Sequence, residues 1–166
     1  MTTAETAAAA TEPEAVTTDA RTLALLRNDL RGLTKADIGE LVAELSSRMG
    51  VDPALAPIDL IPDKSGALRL YINARGASEL AKRHELSDAS LEVDIRERVV
   101  IVQGTKTTPT GRIVRDVGAA SFDPDRADTL ARAVKAATTS AHRRTTLRAV
   151  GIFLSEPEDA RAVFDA

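Results

Sequence analysis

Between residues 90 and 121 the chain runs through three β-forming stretches separated by gaps too short for a crossover. Leu91, Val93 and Ile95 alternate with Glu92, Asp94 and Arg96, the period-two pattern of a half-buried strand. Glu97-Arg98 reads as a tight turn, and Val99 to Lys106 is a β-branched run. Thr107 to Gly111, with Pro109 inside, makes a second turn before a third strand over Arg112 to Ser121. Parallel neighbours need a connection of about a dozen residues or more, so turns this short leave an antiparallel meander.

What surrounds the meander is helical. Asp123-Pro124-Asp125 opens a helix expected to run from about Pro124 to Ala149, because proline suits the first turn and aspartate the positive end. Gly151 stops it. Upstream, Thr34 is an N-cap with Asp37 three residues on, and Ile38, Leu41, Val42, Leu45 and Met49 follow on one helical face up to Gly50. A shorter helix is expected over Thr22 to Arg31, and another over Ala74 to Glu85. Residues 51–67, with Pro53, Pro57 and Pro62, read as extended and irregular, ahead of a short strand on Leu68, Leu70 and Ile72. The expected fold is therefore α+β: a three-stranded antiparallel β-meander followed by a long basic helix (β-β-β-α), with additional N-terminal helices. Residues 1–20 are Ala, Thr, Glu and Pro without apolar period and read as a disordered acidic leader. Residues 21–154 form one domain, and 155–166 an acidic tail.

Composition removes several function classes. There is no cysteine, and the two histidines, His84 and His142, cannot build a multi-histidine metal site. No apolar run approaches a membrane span, and nothing at the start resembles a signal peptide. No phosphate-binding G-x-x-x-x-G-K-[ST] loop, G-x-G-x-x-G or G-x-S-x-G occurs. The carboxylate pairs Glu40/Glu44 and Asp59/Asp63 are far in sequence from the basic segment, which argues against a metal-dependent nuclease. The reading is a protein that is not an enzyme and needs no cofactor or metal.

Charge supplies the positive evidence. The net charge of −3 is segregated: residues 1–20 hold −4, residues 155–166 hold −3, and the body between them holds +4. From Thr129 to Gly151 there is no acid, but there are Arg132, Lys135, Arg143, Arg144 and Arg148. At ~100° per residue, Arg132, Lys135, Thr139, His142 and Arg143 share one arc of a helix, opposite Leu130, Val134, Ala137 and Ala141. Arg144 and Arg148 lie one turn apart, aimed at a second surface. An exposed structural helix usually mixes signs, so five cations without an acid suit a polyanion better than water. Arg96, Arg98, Lys106, Arg112 and Arg115 in the strand block extend the cationic set, tempered by Glu92, Asp94, Glu97 and Asp116. The four rings Tyr71, Phe122, Phe153 and Phe164 are too few for a base-stacking platform, so binding is expected through phosphates, with little sequence preference.

The segment from Leu130 to Gly151, LARAVKAATTSAHRRTTLRAVG, resembles the signature helix of the single-strand annealing proteins, the superfamily that holds the eukaryotic Rad-fifty-two protein and the phage Erf and Red-beta recombinases. In that group a β-β-β-α core ends in a helix with a small-residue and threonine stretch, two adjacent cations and then a glycine. Arg143-Arg144 match the cation pair and Lys135 an upstream lysine, while Leu70 to Ala77 resembles the segment that enters the meander. The resemblance covers residues 68–154; His142 departs from it, and the helix at 34–49 has no counterpart. It implies ATP-independent annealing of complementary single-stranded DNA in recombination and repair, by a cytoplasmic homo-oligomer, ring or filament, in a bacterial cell or phage-infected host. The strand is expected in a basic groove between hairpin and helix. Subunit contacts are expected through edge strands and the apolar face of residues 34–49. Two alternatives remain open: an oligomeric assembly protein without nucleic-acid binding, and a double-stranded RNA-binding-like module. The acidic Asp123-Pro124-Asp125 at the helix start has the wrong sign for the latter.

Overall fold

In the computed structural model, which describes residues 19–152, the first helix begins where a side chain can cap it. The Asp19 carboxylate accepts from the backbone N–H groups of Arg21 and Thr22, opening α1 (Ala20–Arg27). Asp19 and Ala20 thus belong to the folded unit, not the leader; the rest of the leader and the acidic tail lie outside the described residues. Asn28, at φ 50°, ends α1 earlier than the apolar pattern suggested. The second helix, α2 (Lys35–Met49), has the expected capping box between Thr34 and Asp37 and ends on Gly50 at φ 65°. Its apolar residues Ile38, Leu41, Val42, Leu45 and Met49 pack into the protein's own core. That face is consumed internally, which corrects the expectation that it docks a second subunit.

The proline-rich stretch holds more order than its composition suggests. A 3-10 turn at Pro53–Leu55 leads into β1 (Ile58–Pro62), which pairs antiparallel with β2 (Leu68–Ile72). Pro62 sits at the strand end, where a missing N–H costs the ladder little. Asp63 ties the hairpin: its carboxylate accepts from the N–H groups of Ser65 and Ala67 and pairs with Arg69 at 2.5 Å. Asn73 then caps α3 (Ala74–Arg83) through the Gly76 N–H.

The meander follows, as β3 (Ser87–Arg96), β4 (Val99–Thr107) and β5 (Ile113–Ser121), antiparallel in that spatial order. The long helix α4 (Ala127–Ala149) starts later than expected. Asp123-Pro124-Asp125 forms a turn ahead of it, with the Thr129 hydroxyl 2.6 Å from the Asp123 carbonyl and 2.7 Å from that of Arg126. Asp128, rather than Asp123 or Asp125, is the acid of the first helical turn. The protein is thus α+β, with antiparallel sheets and a long final helix.

α4 crosses β4 and β5 at very short range. Ala133, Ala137 and Ala141 meet Val100 and Val102, and the helix rides over two glycines. A Cβ on Gly118 would lie 2.1 Å from the Ala137 carbonyl oxygen, and one on Gly104 would lie 3.0 Å from the Thr145 hydroxyl. Beyond its middle, α4 enters a second core. Leu147, with Val150 and Ile152, packs among Leu30, Leu41, Ile58, Leu70, Ile72 and Leu80 from the N-terminal elements.

β3 departs from the sequence reading. Ile95 pairs with Val100 and Val93 with Val102, so Leu91, Val93 and Ile95 do share the helix side of the sheet. α4, however, lies over β4 and β5, and all ten residues of β3 are exposed. Leu91, Val93 and Ile95 are 52%, 53% and 51% exposed. The alternation marks an apolar row correctly, but nothing in the described chain covers it.

Candidate nucleic-acid interface

The cationic stripe expected along α4 divides where the helix acquires its second neighbour. Arg132, Lys135 and Thr139 are exposed on its first half, with Arg132 paired to Asp128 at 2.8 Å. Arg143 is only 3% exposed, and its guanidinium carbon stands 4.2 Å from the centroid of the Tyr71 ring on β2. The angular arc drawn from the sequence suits a helix with one buried face. The last turns of α4 have the sheet on one side and the N-terminal elements on the other, so Arg143, Thr145, Thr146 and Leu147 are all buried. Arg143 is therefore withdrawn from the phosphate-contacting set.

The helix has no acids of its own in this region because other elements supply them. Arg144 Nε lies 3.3 Å from the Asp116 carboxylate on β5, and Arg148 Nη1 lies 3.6 Å from it. On the opposite flank, Asp88 at the start of β3 is 2.5 Å from Lys106 Nζ and 3.6 Å from His142 Nδ1. Burial, then the Lys106 charge, lowers the His142 pKa, and Asp88 pulls the other way. Lys106 itself is 2% exposed. The sequence contained a signal for this: Val100, Val102, Gly104 and Lys106 fall on one face at period two, so the lysine follows the valines inward. The expectation of cations without acidic partners is corrected for Arg132, Arg144 and Arg148.

Three of the expected residues do converge. Arg112 just before β5, Arg115 within it, and Arg148 from the end of α4 line an open depression of about 570 Å³ together with Ile113 and Val114. Arg112 Nη2 donates to the Ala149 carbonyl at 2.5 Å, and Arg148 Nη1 to the Arg115 carbonyl at 3.3 Å. A guanidinium carries five N–H donors, so each retains others for a ligand. Arg115 is exposed and has no acidic partner among the described residues. Behind it, Arg144 and Arg148 flank the carboxylate of Asp116.

Arg96 and Arg98 do not join this group. They sit at the β3–β4 turn, and the register places that turn beside Ser121, at the other end of β5 from Ile113. Eight residues of strand separate the two ends, about 27 Å at ~3.4 Å each. Arg96 pairs with Val99, so it faces away from α4, and it is bound to Asp94 at 2.7 Å. The hairpin row beside the helix, expected to be a basic groove, is apolar: Leu91, Val93 and Ile95. Both rings among the described residues are committed, Tyr71 to Arg143 and Phe122 to the Val100–Ala137 core.

The carboxylate pairs noted in the sequence are structural. Glu40 pairs with Arg21 and Glu44 with Arg48, while Asp59 takes the Asn73 amide at 3.0 Å and Asp63 holds its turn. Among the described residues no helix is long and apolar enough to cross a membrane. No protein-family model and no curated protein matches this chain.

Proposed function

We propose that the protein binds single-stranded DNA through its phosphate backbone and anneals complementary strands without ATP, as a cytoplasmic homo-oligomer serving recombination and repair. One observation carries the reading: Arg112, Arg115 and Arg148, from segments distant in sequence, line one open depression. Arginine forks suit phosphate oxygens, and a bound phosphate offsets the repulsion of clustered guanidiniums. Arg132, Lys135 and Thr139 on the exposed half of α4 offer a second contact zone. From Lys135 to Arg148 is about 20 Å along the axis at ~1.5 Å per residue, a span of several nucleotides. Support also comes from the strand-and-helix order, which agrees with the resemblance noted in the sequence. Committed aromatic rings suit a mode in which bases are left outward for pairing.

The experiment is an annealing assay with two complementary oligonucleotides and no nucleotide triphosphate, beside a binding titration on one of them. Expected are accelerated duplex formation and a Kd that weakens steeply with salt. Absence of binding at low salt overturns the reading and leaves the assembly-protein alternative, which the uncovered β3 row favours.

A further inference from the structure

Two apolar surfaces stay uncovered on elements far apart in the chain. One is the β3 row of Leu91, Val93 and Ile95, on an edge strand whose outer backbone has no partner in the sheet. The other is α1, where Ala24 alone is buried, and Leu23, Leu25 and Leu26 are 38%, 41% and 76% exposed. Leu26 is the most exposed large apolar side chain among the described residues.

We infer that α1 of one copy docks on the β3 row of the next, so that the protein assembles head to tail. The dimensions agree. Leu91 to Ile95 spans about 14 Å of strand at ~3.4 Å per residue, and the eight residues of α1 span about 12 Å. The charges agree as well. α1 ends on exposed Arg27, and the β3 row ends beside exposed Glu97 at the hairpin tip; neither has an oppositely charged partner among the described residues. Because the two surfaces differ, the contact is heterologous: each copy keeps one unused surface after pairing, and growth continues into a ring or filament rather than stopping at a dimer. This deepens the assembly half of the proposed function, rests on that half, and is separable from DNA binding.

The test uses the full chain and two variants, Leu26→Asp and Val93→Asp. Both side chains are more than half exposed, so neither change enters a core. By light scattering at tens of micromolar, wild type should exceed twice its 17.6 kDa mass, and each variant alone should be a monomer. An equimolar mixture should give a dimer and nothing larger, because each variant retains the surface that the other lost. A monomeric wild type overturns the inference. So does a Leu26→Asp protein that still assembles, the behaviour expected if β3 pairs with β3. Circular dichroism verifies folding. Should either variant misfold, the chain's lack of cysteine allows Leu26→Cys with Val93→Cys in one chain, whose oxidation should yield a disulfide-linked ladder on a non-reducing gel. A monomer-only band overturns the inference. Arg115→Ala/Arg148→Ala, run in parallel, should assemble as wild type, so loss of DNA binding and loss of assembly are read as separate failures.

Discussion

The guanidinium of Arg143 stands over the Tyr71 ring of β2: its central carbon is 4.2 Å from the ring centroid, and the side chain is almost fully buried. An arginine on a basic helix is usually read as a surface charge. Here it fastens the last turns of α4 to the N-terminal elements. Replacing Arg143 with Ala should therefore cost stability, about 2–4 kcal/mol from lost packing and cation–π attraction. Arg143→Lys should recover only part of this, since an ammonium does not stack as a planar guanidinium does. Urea denaturation of both variants and of Tyr71→Leu measures it. An unchanged midpoint for Arg143→Ala would return this residue to the DNA-contacting set.

Gly118→Ala should be among the most damaging single-methyl changes in the protein. The new Cβ meets the Ala137 carbonyl oxygen and the Ala141 nitrogen, both backbone atoms that move only if α4 lifts from the sheet. Overpacking of this kind costs about 1–3 kcal/mol or more. Gly39 is the internal control: it lies in α2 with nothing within 4 Å of an added Cβ, so Gly39→Ala should gain up to ~1 kcal/mol of helix propensity. Opposite shifts in melting temperature for the two variants are the expected result.

Arg115→Ala combined with Arg148→Ala should weaken single-stranded DNA binding by about 1–3 kcal/mol per lost charge-assisted contact, to a similar extent for any base sequence. The log–log salt slope should flatten by roughly 0.7 per phosphate contact removed. Arg48→Ala, exposed on α2 and paired with Glu44, is the matched control and should bind as wild type. Fluorescence anisotropy across a salt series decides between these outcomes.

Acid should destabilise the fold through two carboxylates of the N-terminal elements. The Ser65 hydroxyl and Arg69 hold the Asp63 carboxyl at about 2, and Arg31 does the same for Asp29. Both values lie below the ~3.9 of an unfolded aspartate. The folded state thus binds fewer protons, and its stability rises with pH across this interval. The contribution is complete above about pH 4 and is lost as pH falls toward about 2. His142 adds the same sign higher up, since burial and then the Lys106 charge hold its pKa below the ordinary imidazole value. Asp63→Asn should flatten the melting temperature between about pH 4 and pH 2, and an unaltered slope would remove Asp63 as a cause.

Local signals proved the most legible. The Thr34–Asp37 capping box, the Gly50 stop and the two short turns of the meander depend on neighbours a few residues away, and each stands where the sequence placed it. β1 escaped notice because Pro57 and Pro62 flank Ile58, Leu60 and Ile61, and proline argues against a strand unless the strand is an edge. Arg143 escaped because its burial is caused by Tyr71, a residue on the other side of the meander whose approach no helical periodicity encodes. The acids that neutralise Arg144, Arg148 and Lys106 come likewise from strands, so counting charges along the helix alone overstated its basic field.

Because α4 is a wall of both hydrophobic cores, the two halves of the molecule share one fate on denaturation. Fraying its final turns strips Leu147 from the N-terminal core, and fraying its middle strips Ala137 and Ala141 from the sheet. Neither half has a melting transition of its own to display. Heat or urea should produce a single cooperative step, with amide protons on the two sides of α4 exchanging at nearly the same free energy, while those of β3 exchange far sooner.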